Sequence, residues 1–519
     1  MKKWTFLYFL CPLLVGAQHI DWDRVPHKSS FTSMLQSIDN NYTLDTTNTG
    51  YSTLQYHSFS SKGQFIKVNH QQYFTDYLLF DLDFDKFSHE GIFNRENLKL
   101  HNVHTKLFFN NKKKTYQAHL SLGYHKIKMD ENGGIFNYAY ALFDDPLLNP
   151  ITLLSAENEA KNRNHSFAQN FKLTDNWSVS NEISILSNRR VYSDQSPNSG
   201  FYPHIYLDSI QTYDSLSTLV LSQRFGLSYK DFTISQLLHH RKAFIHTVDS
   251  SDTDWGIALD YENINYAIHL KSEFYQSNHY FITLLKRFSG ERFSQLISIA
   301  FDRKRVPIFS NTFSSNHYRF NTDFTPTSRV AAAYALKHKN WSLGSEIYRY
   351  TDYIYLDQSA HFQQFTTSFL HWQNSLNFKW NWKRLYTTQN LVYHRIEDSS
   401  PLRLPTFNYN TSIWLESHLF GDNLNTQIGA KLNYFTRHFA NAYNPALAQY
   451  HLQDEQRIGD VPLLSAFLKL HVHNMSINVS YHNLLSLVNE NSNIHYFIPN
   501  YPSYPASIQL SVLWKLKND

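Results

Sequence analysis

The chain has 519 residues, 17% of them charged, and a formal charge of +4, with a mean hydropathy of −0.46. So small a charge is no footprint for nucleic acid. Beyond the N-terminus no run approaches the roughly 18 apolar residues of a membrane helix, and the length would strain a single soluble all-β core, which rarely exceeds about 250 residues. Aromatic residues nevertheless make up 16%, with 35 Tyr and 39 Phe, so the chain is wet on average and greasy at alternate positions.

Residues 1–17 read as a secretion signal. Lys2 and Lys3 form a basic start, Trp4 to Val15 an apolar core, and Val15-Gly16-Ala17 a small-residue cleavage site before Gln18. Cys11, the only cysteine, follows bulky Tyr8, Phe9 and Leu10, which is not a lipoprotein box. The exported chain would have no thiol, disulfide or cysteine metal site, and without Lys2 and Lys3 its formal charge falls from +4 to +2. Residues 18–72 are polar and show no period; the expectation is a periplasmic tail or a plug inside a lumen.

From residue 73 strand follows strand. In "LLFDLDFDKF", Leu78, Phe80, Leu82 and Phe84 alternate with Asp81, Asp83 and Asp85. In "TYQAHLSLGYHK", Tyr116, Ala118, Leu120, Leu122 and Tyr124 alternate with Gln117, His119 and Ser121. "LNFKWNWK" sets Leu376, Phe378, Trp380 and Trp382 against Asn377, Lys379, Asn381 and Lys383, and the last strand carries Ile508, Leu510, Val512, Trp514 and Leu516. Period 2 places alternate side chains on opposite faces of a strand. Tight connections such as 110–114, 229–231, 383–385 and 473–475 roughly alternate with long polar ones at 129–163, 189–217 and 438–460. Nine tight turns and a strand at each end predict about 20 strands, with 16–22 tolerable. Only 15 glycines are present, far below average usage of about 7%, so other residues must serve the turns.

An apolar face this regular, without helices to cover it, meets lipid. The expected fold is all-β: a single-chain antiparallel transmembrane β-barrel over residues 73–519, with short periplasmic turns and long extracellular loops. Closure removes the strand edges that a bilayer cannot satisfy. Phe378, Trp380, Trp382 and Trp514 are then lipid-facing candidates, the tryptophans in an interfacial aromatic girdle. Asp81, Asp83, Asp85, Lys379 and Lys383 are pore-lining candidates; the three aspartates either attract cations or pair with lumenal Lys and Arg.

Other chemistry is weakly signalled. His471 and His473 would share a face as a metal pair, but no third ligand is identifiable; His239 and His240 point to opposite faces. Arg189-Arg190 and Arg303-Lys304-Arg305 lie near predicted outer ends, where they would attract anions or lipopolysaccharide phosphates. There is no nucleophile elbow, phosphate loop or HExxH, so no enzyme, cofactor or metal is expected.

Three separated stretches resemble the putative porin family of outer-membrane barrels from bacteroidete-type Gram-negative bacteria. They are Arg95 to Ile135, with its Asn132-Gly133-Gly134 loop; Ile428 to Leu470; and "HYFIPNYPSYPASIQLSVLWKL", where Pro499, Tyr501 and Pro502 precede the last strand. The chain departs from the usual aromatic terminus by ending Lys517-Asn518-Asp519. The resemblance implies location in the cell outer membrane, with membrane lipid, the barrel-assembly machinery and small polar solutes as partners. The function expected is a porin-like channel for passive passage of such solutes. The alternatives are a surface structural or adhesive barrel with an occluded lumen and partner-binding loops, and a soluble secreted β protein. A TonB-dependent receptor is disfavoured, because a plug domain plus about 22 strands needs a longer chain.

Overall fold

In the computed structural model, residues 50–517 are described, apart from 60–61, 136–144, 199, 203, 207–210, 246–247, 264, 275–278, 291, 422 and 488–495. The predicted signal segment and most of the polar N-terminal stretch lie outside the described residues. Twenty-two antiparallel strands form one sheet. It closes on itself: the first strand, Tyr51–Phe59, pairs with the last, Ser507–Lys517, over nine residues from Tyr51 opposite Lys517 to Phe59 opposite Gln509. The sheet therefore has no edge. The strand count lies at the upper bound of the sequence estimate.

The expected domain boundary at residue 72 needs correction. Tyr51–Phe59 and Gly63–Thr75 are barrel strands, and they carry the closing seam. Their alternation is hard to see because both faces are partly polar: buried His57 and Gln71 point inward with Phe59 and Phe65, while the opposite face holds Ser52, Leu54, Tyr56 and Ser58.

Ten connections at one end are two to five residues long, including Tyr229–Phe232, Trp382–Leu385 and Val472–Met475. Most at the other end are longer, reaching 436–462 between Leu424–Phe435 and Leu463–Val472. The glycine shortage resolves here: thirteen non-glycine residues adopt positive φ among the described residues, Lys230, Lys383 and His473 each opening a two-residue turn. Such a turn needs a left-handed residue to match the twist of its strands.

The outward face is apolar in a belt, where Ile183, Leu221, Ile257, Ile347 and Ile413 are exposed. Aromatic pairs fringe it beside the tight turns: Tyr116 and Phe171 with ring centroids 4.5 Å apart, Phe232 and Tyr261 at 4.7 Å, Trp177 and Tyr229 at 4.8 Å. A contiguous exposed surface of this kind is stable only against lipid. The barrel is taller on one side. Trp177–Asp194 and Thr212–Tyr229 have 18 residues each, whereas Met475–His482 has eight. Eighteen tilted residues rise roughly 45 Å, against a lipid-facing band of about 25 Å. The excess projects at the loop end.

Candidate functional site

The inner wall is polar through the belt. Asp81, Asp83 and Asp85 alternate with the outward Phe80, Leu82 and Phe84, and Asp83 and Asp85 are buried. They do not form a bare acidic stripe. Asp85 lies 3.7 Å from Lys67 Nζ and accepts from Asn102 at 3.0 Å. Asp83 accepts from Asn69, and Asp81 sits in register between Gln71 and Lys106. The opposite wall is built alike. Arg241 and Arg305 both engage Asp252 and Asp254, Arg329 Nε donates to Asp302 at 2.6 Å, and His371 and His394 share a hydrogen bond at 3.1 Å. Cations and carboxylates so interleaved make a polar, mixed-charge inner wall.

Phe378, Trp380 and Trp382 share a face with Leu370 and Leu376, and Trp382 is 59% exposed, Trp380 42% and Trp514 47%. Lys379 shares its face with buried His371 and Gln373. Lys383 does not belong to the wall. It is the first turn residue, at φ 54°, and its Nζ lies 5.2 Å from the Trp382 ring centroid, a cation–π contact at the rim. The alternation that placed it stops where the turn begins. His473 likewise lies in a turn, at φ 48°, and shares no strand face with His471. Among the described residues no three His, Cys, Asp or Glu are placed to hold a metal ion.

Toward the loop end the wall changes character. Phe59, Phe65, Phe87, Leu98, Leu100, Ile127 and Met129 face inward and are buried. Loops fold onto them. One apolar cluster joins these residues to Tyr443, Ala448, Ile498 and Tyr501; another joins Tyr192 and Ile245 to Tyr202, Phe313, Phe320, Leu356, Ala446 and Leu447. With Leu153 of the 132–155 connection in the second cluster, six connections converge in one packed cap. Its innermost piece is Asn444-Pro445-Ala446-Leu447-Ala448, the tip of the 436–462 loop, held by Arg190. Arg190 donates to the carbonyls of Leu447 at 3.0 Å, Pro445 at 2.9 Å and Ala446 at 2.8 Å. Its Nε and Nη2 also reach Asn158 Oδ1, at 3.0 and 2.8 Å. Asn158 in turn donates to Pro445 O at 2.8 Å and Glu131 at 2.7 Å, and Tyr443 donates to Glu131 at 3.0 Å. Burial pushes the Tyr443 hydroxyl well above its ordinary pKa, so it remains a donor.

Arg190 and Arg305, expected near the outer ends as anion-attracting charges, are both turned into the molecule. The three stretches that carried the family resemblance meet in this cap. Ile135 N donates to Asn500 O at 2.8 Å, Asn500 N to Gln456 Oε1 at 2.9 Å, and Tyr443 lies edge-on to Tyr501 at 6.2 Å. Gly134 is required at this crossing: its φ is 86°, and a Cβ there would stand 2.8 Å from that of Asn500.

A closed 22-stranded sheet with a lipid-facing belt and a polar inner wall defines an outer-membrane β-barrel. The Putative porin family matches residues 30–518, and the chain belongs to that family. No curated protein matches in sequence. Among solved structures it is similar to the FrpB iron transporter (F3-3 variant) from Neisseria meningitidis, at TM-score 0.63 and 9% identity, over 93% of this chain and 83% of that one. A ferric enterobactin receptor (PfeA) mutant from Pseudomonas aeruginosa gives TM-score 0.64 and 11% identity, over 90% and 80%. The siderophore receptor PirA from Acinetobacter baumannii gives 0.63 and 11%, over 91% and 81%. At these identities the likeness is one of fold. The family and these structures are porin, transporter and receptor barrels rather than enzymes.

Proposed function

We propose that this protein is an outer-membrane transport barrel that passes small polar solutes along its mixed-charge inner wall, with its loop end facing the cell exterior and closed at rest by the packed loops. The observation that carries the reading is the contrast along the lumen: paired polar and charged side chains through the belt, then an apolar layer latched by Arg190. Plain passive diffusion through an open mouth fits that layer poorly; a gated passage fits both halves. Barrels of 22 strands in outer-membrane transporters commonly hold a plugged lumen, and the transporter and receptors named above share this chain's fold.

The test is conductance in planar bilayers. Wild type should show small or infrequent steps, and Arg190→Ala should open larger steps more often. If both proteins remain silent while migrating as folded, heat-modifiable barrels, transport is refuted. The same packed layer then supports the second reading, a surface structural barrel with a permanently occluded lumen.

A further inference from the structure

On the outer face, at the loop-side margin of the apolar belt, five basic residues stand directly opposite one another on five consecutive strands. Lys86 pairs with His101, His101 with Lys126, Lys126 with Lys161, and Lys161 with Arg189. At the spacing between neighbouring strands the row spans about 19 Å. Two residues nearer the belt the same strands carry Phe84, Val103, Tyr124, Arg163 and Ser187; two further on come Leu82, Thr105, Leu122, His165 and Ile185. Apolar outward residues begin two positions from the row at Phe84, Val103 and Tyr124 and four from it at Ile185, while Arg163 and His165 extend the basic surface toward Phe167.

It is confined to these strands. Along the same register line the next residues are Ile66, Tyr56 and Val512 on one side and Ser217 and Phe244 on the other, none of them basic. Lys126, Lys161 and Arg189 are like charges directly opposite on the sheet and repel, and the local carboxylates offset only part of this. Glu159 bridges Lys126 and Lys161, Glu157 bridges Lys128, and Asp130 accepts from Asn97. On this face seven Lys and Arg (86, 99, 126, 128, 161, 163 and 189) stand against those three acids.

We infer that this row binds the phosphate groups of an anionic outer-leaflet glycolipid, whose acyl chains would cover the apolar belt beneath. The belt supplies the chain-facing surface, and the cations stand beside its loop-side margin with their charge in excess. A multiply phosphorylated headgroup bridging the row would relieve the repulsion that the sheet register imposes. The outer-leaflet assignment rests on the orientation proposed above.

The test uses the full-length protein in dodecyl maltoside micelles with fluorescent lipid A, a glycolipid bearing two phosphates. Lys86→Gln, Lys99→Gln and Arg189→Gln together should weaken binding at least tenfold. Lys112→Gln, Lys113→Gln and Lys114→Gln, which remove as many charges from a tight turn at the opposite end, should leave it within twofold. Heat-modifiable mobility checks that both variants fold. Equal losses in the two variants, or none in the first, overturn the site. Binding of dephosphorylated lipid A as tight as that of lipid A overturns phosphate recognition. Displacement by millimolar inorganic phosphate reassigns the row to free phosphate and overturns the lipid. Orientation has its own readout: a membrane-impermeant maleimide applied to intact cells should leave Lys113→Cys unlabelled. Labelling there overturns the outer-leaflet assignment and the proposed orientation together, whereas the micelle result bears on the site alone.

Discussion

Arg190→Ala should release the tip of the 436–462 loop. The substitution removes three hydrogen bonds to backbone carbonyls and two to Asn158 Oδ1. Pro445 O keeps the Asn158 amide, so the carbonyls of Ala446 and Leu447 lose their Arg190 donor in a layer where both residues are at most 2% exposed. Each buried acceptor left unmet costs about 1–3 kcal/mol, and breaking a buried charged network costs about 3–5 kcal/mol in all. Relief of the guanidinium's own desolvation argues for the lower half of that range. At about 1.4 kcal/mol per factor of ten, docking of the loop should weaken roughly a hundredfold or more. Limited proteolysis of reconstituted protein, read at the 436–462 segment, measures this directly. Arg190→Lys keeps the charge but loses the planar fork that reaches several carbonyls at once, so it should fall between wild type and Ala. If the loop in Arg190→Ala is cleaved at the wild-type rate while the barrel remains folded, apolar packing alone holds the cap, and the latch argument is wrong.

Four further outcomes follow from the geometry. Gly429→Ala should destabilise the barrel by about 1–3 kcal/mol, because its Cβ would stand 2.3 Å from Ile413 O and 2.6 Å from Trp414 Cβ; the urea midpoint of heat-modifiable mobility reads this. Deleting residues 20–70 should abolish assembly, since it removes Tyr51–Phe59 and with it the seam to Ser507–Lys517; a folded, closed deletion product would contradict the register. Burial lowers the pKa of His438 and of His451 within the 436–462 loop below the ordinary 6.5, so the docked loop holds both neutral while a released loop protonates. Their contribution to docking is therefore complete above pH 6.5 and is lost as pH falls toward the lowered values, and cleavage of the loop should accelerate on acidification, less so in His438→Gln. For facing, Phe378→Arg should cost about 2–4 kcal/mol near the bilayer midplane and Trp382→Arg about 0–1 at the interface, whereas Lys379→Glu should leave folding intact and shift reversal potential toward cations; the opposite ranking would invert this strand.

Much of the barrel was legible because lipid imposes a strict rule on sequence. Where one face meets hydrocarbon and the other water, period 2 must appear, and Leu376 to Trp382 obeys it throughout. The predicted tight turns coincide with short connections at one end of the barrel. Two kinds of feature escaped. The seam strands Tyr51–Phe59 and Gly63–Thr75 carry polar residues on both faces, so no period rises above the background. The cap is a matter of tertiary contact: Arg190 reaches carbonyls some 255 positions away, and a carbonyl has no signature in sequence. What sequence could supply was the basic pair Arg189-Arg190, whose members alternation sends to opposite faces, one outward into the cationic row and one inward to the latch.

A subtler signal was present in the tall strands. Along Tyr116–Glu131 the apolar residues first occupy even positions, Tyr116 to Tyr124, and then odd ones, Ile127 and Met129, while Lys126, Lys128 and Asp130 take over the even face. Such a change of phase would ordinarily be blamed on a bulge. None is present: pairing runs without a shift from Gln117 to Met129 with the preceding strand and from Tyr116 to Glu131 with the following one. The strand keeps its geometry and its surroundings change instead. Below the change, lipid lies outside and the polar inner wall within; above it, polar surroundings lie outside and the packed loops within. Leu98–Asn110 turns over in the same way, from inward Leu98 and Leu100 to outward Leu107 and Phe109. The point of inversion therefore locates, from sequence alone, both the upper edge of the lipid belt and the floor of the cap. The basic row and the Arg190 latch stand beside that boundary, on its outer and inner sides.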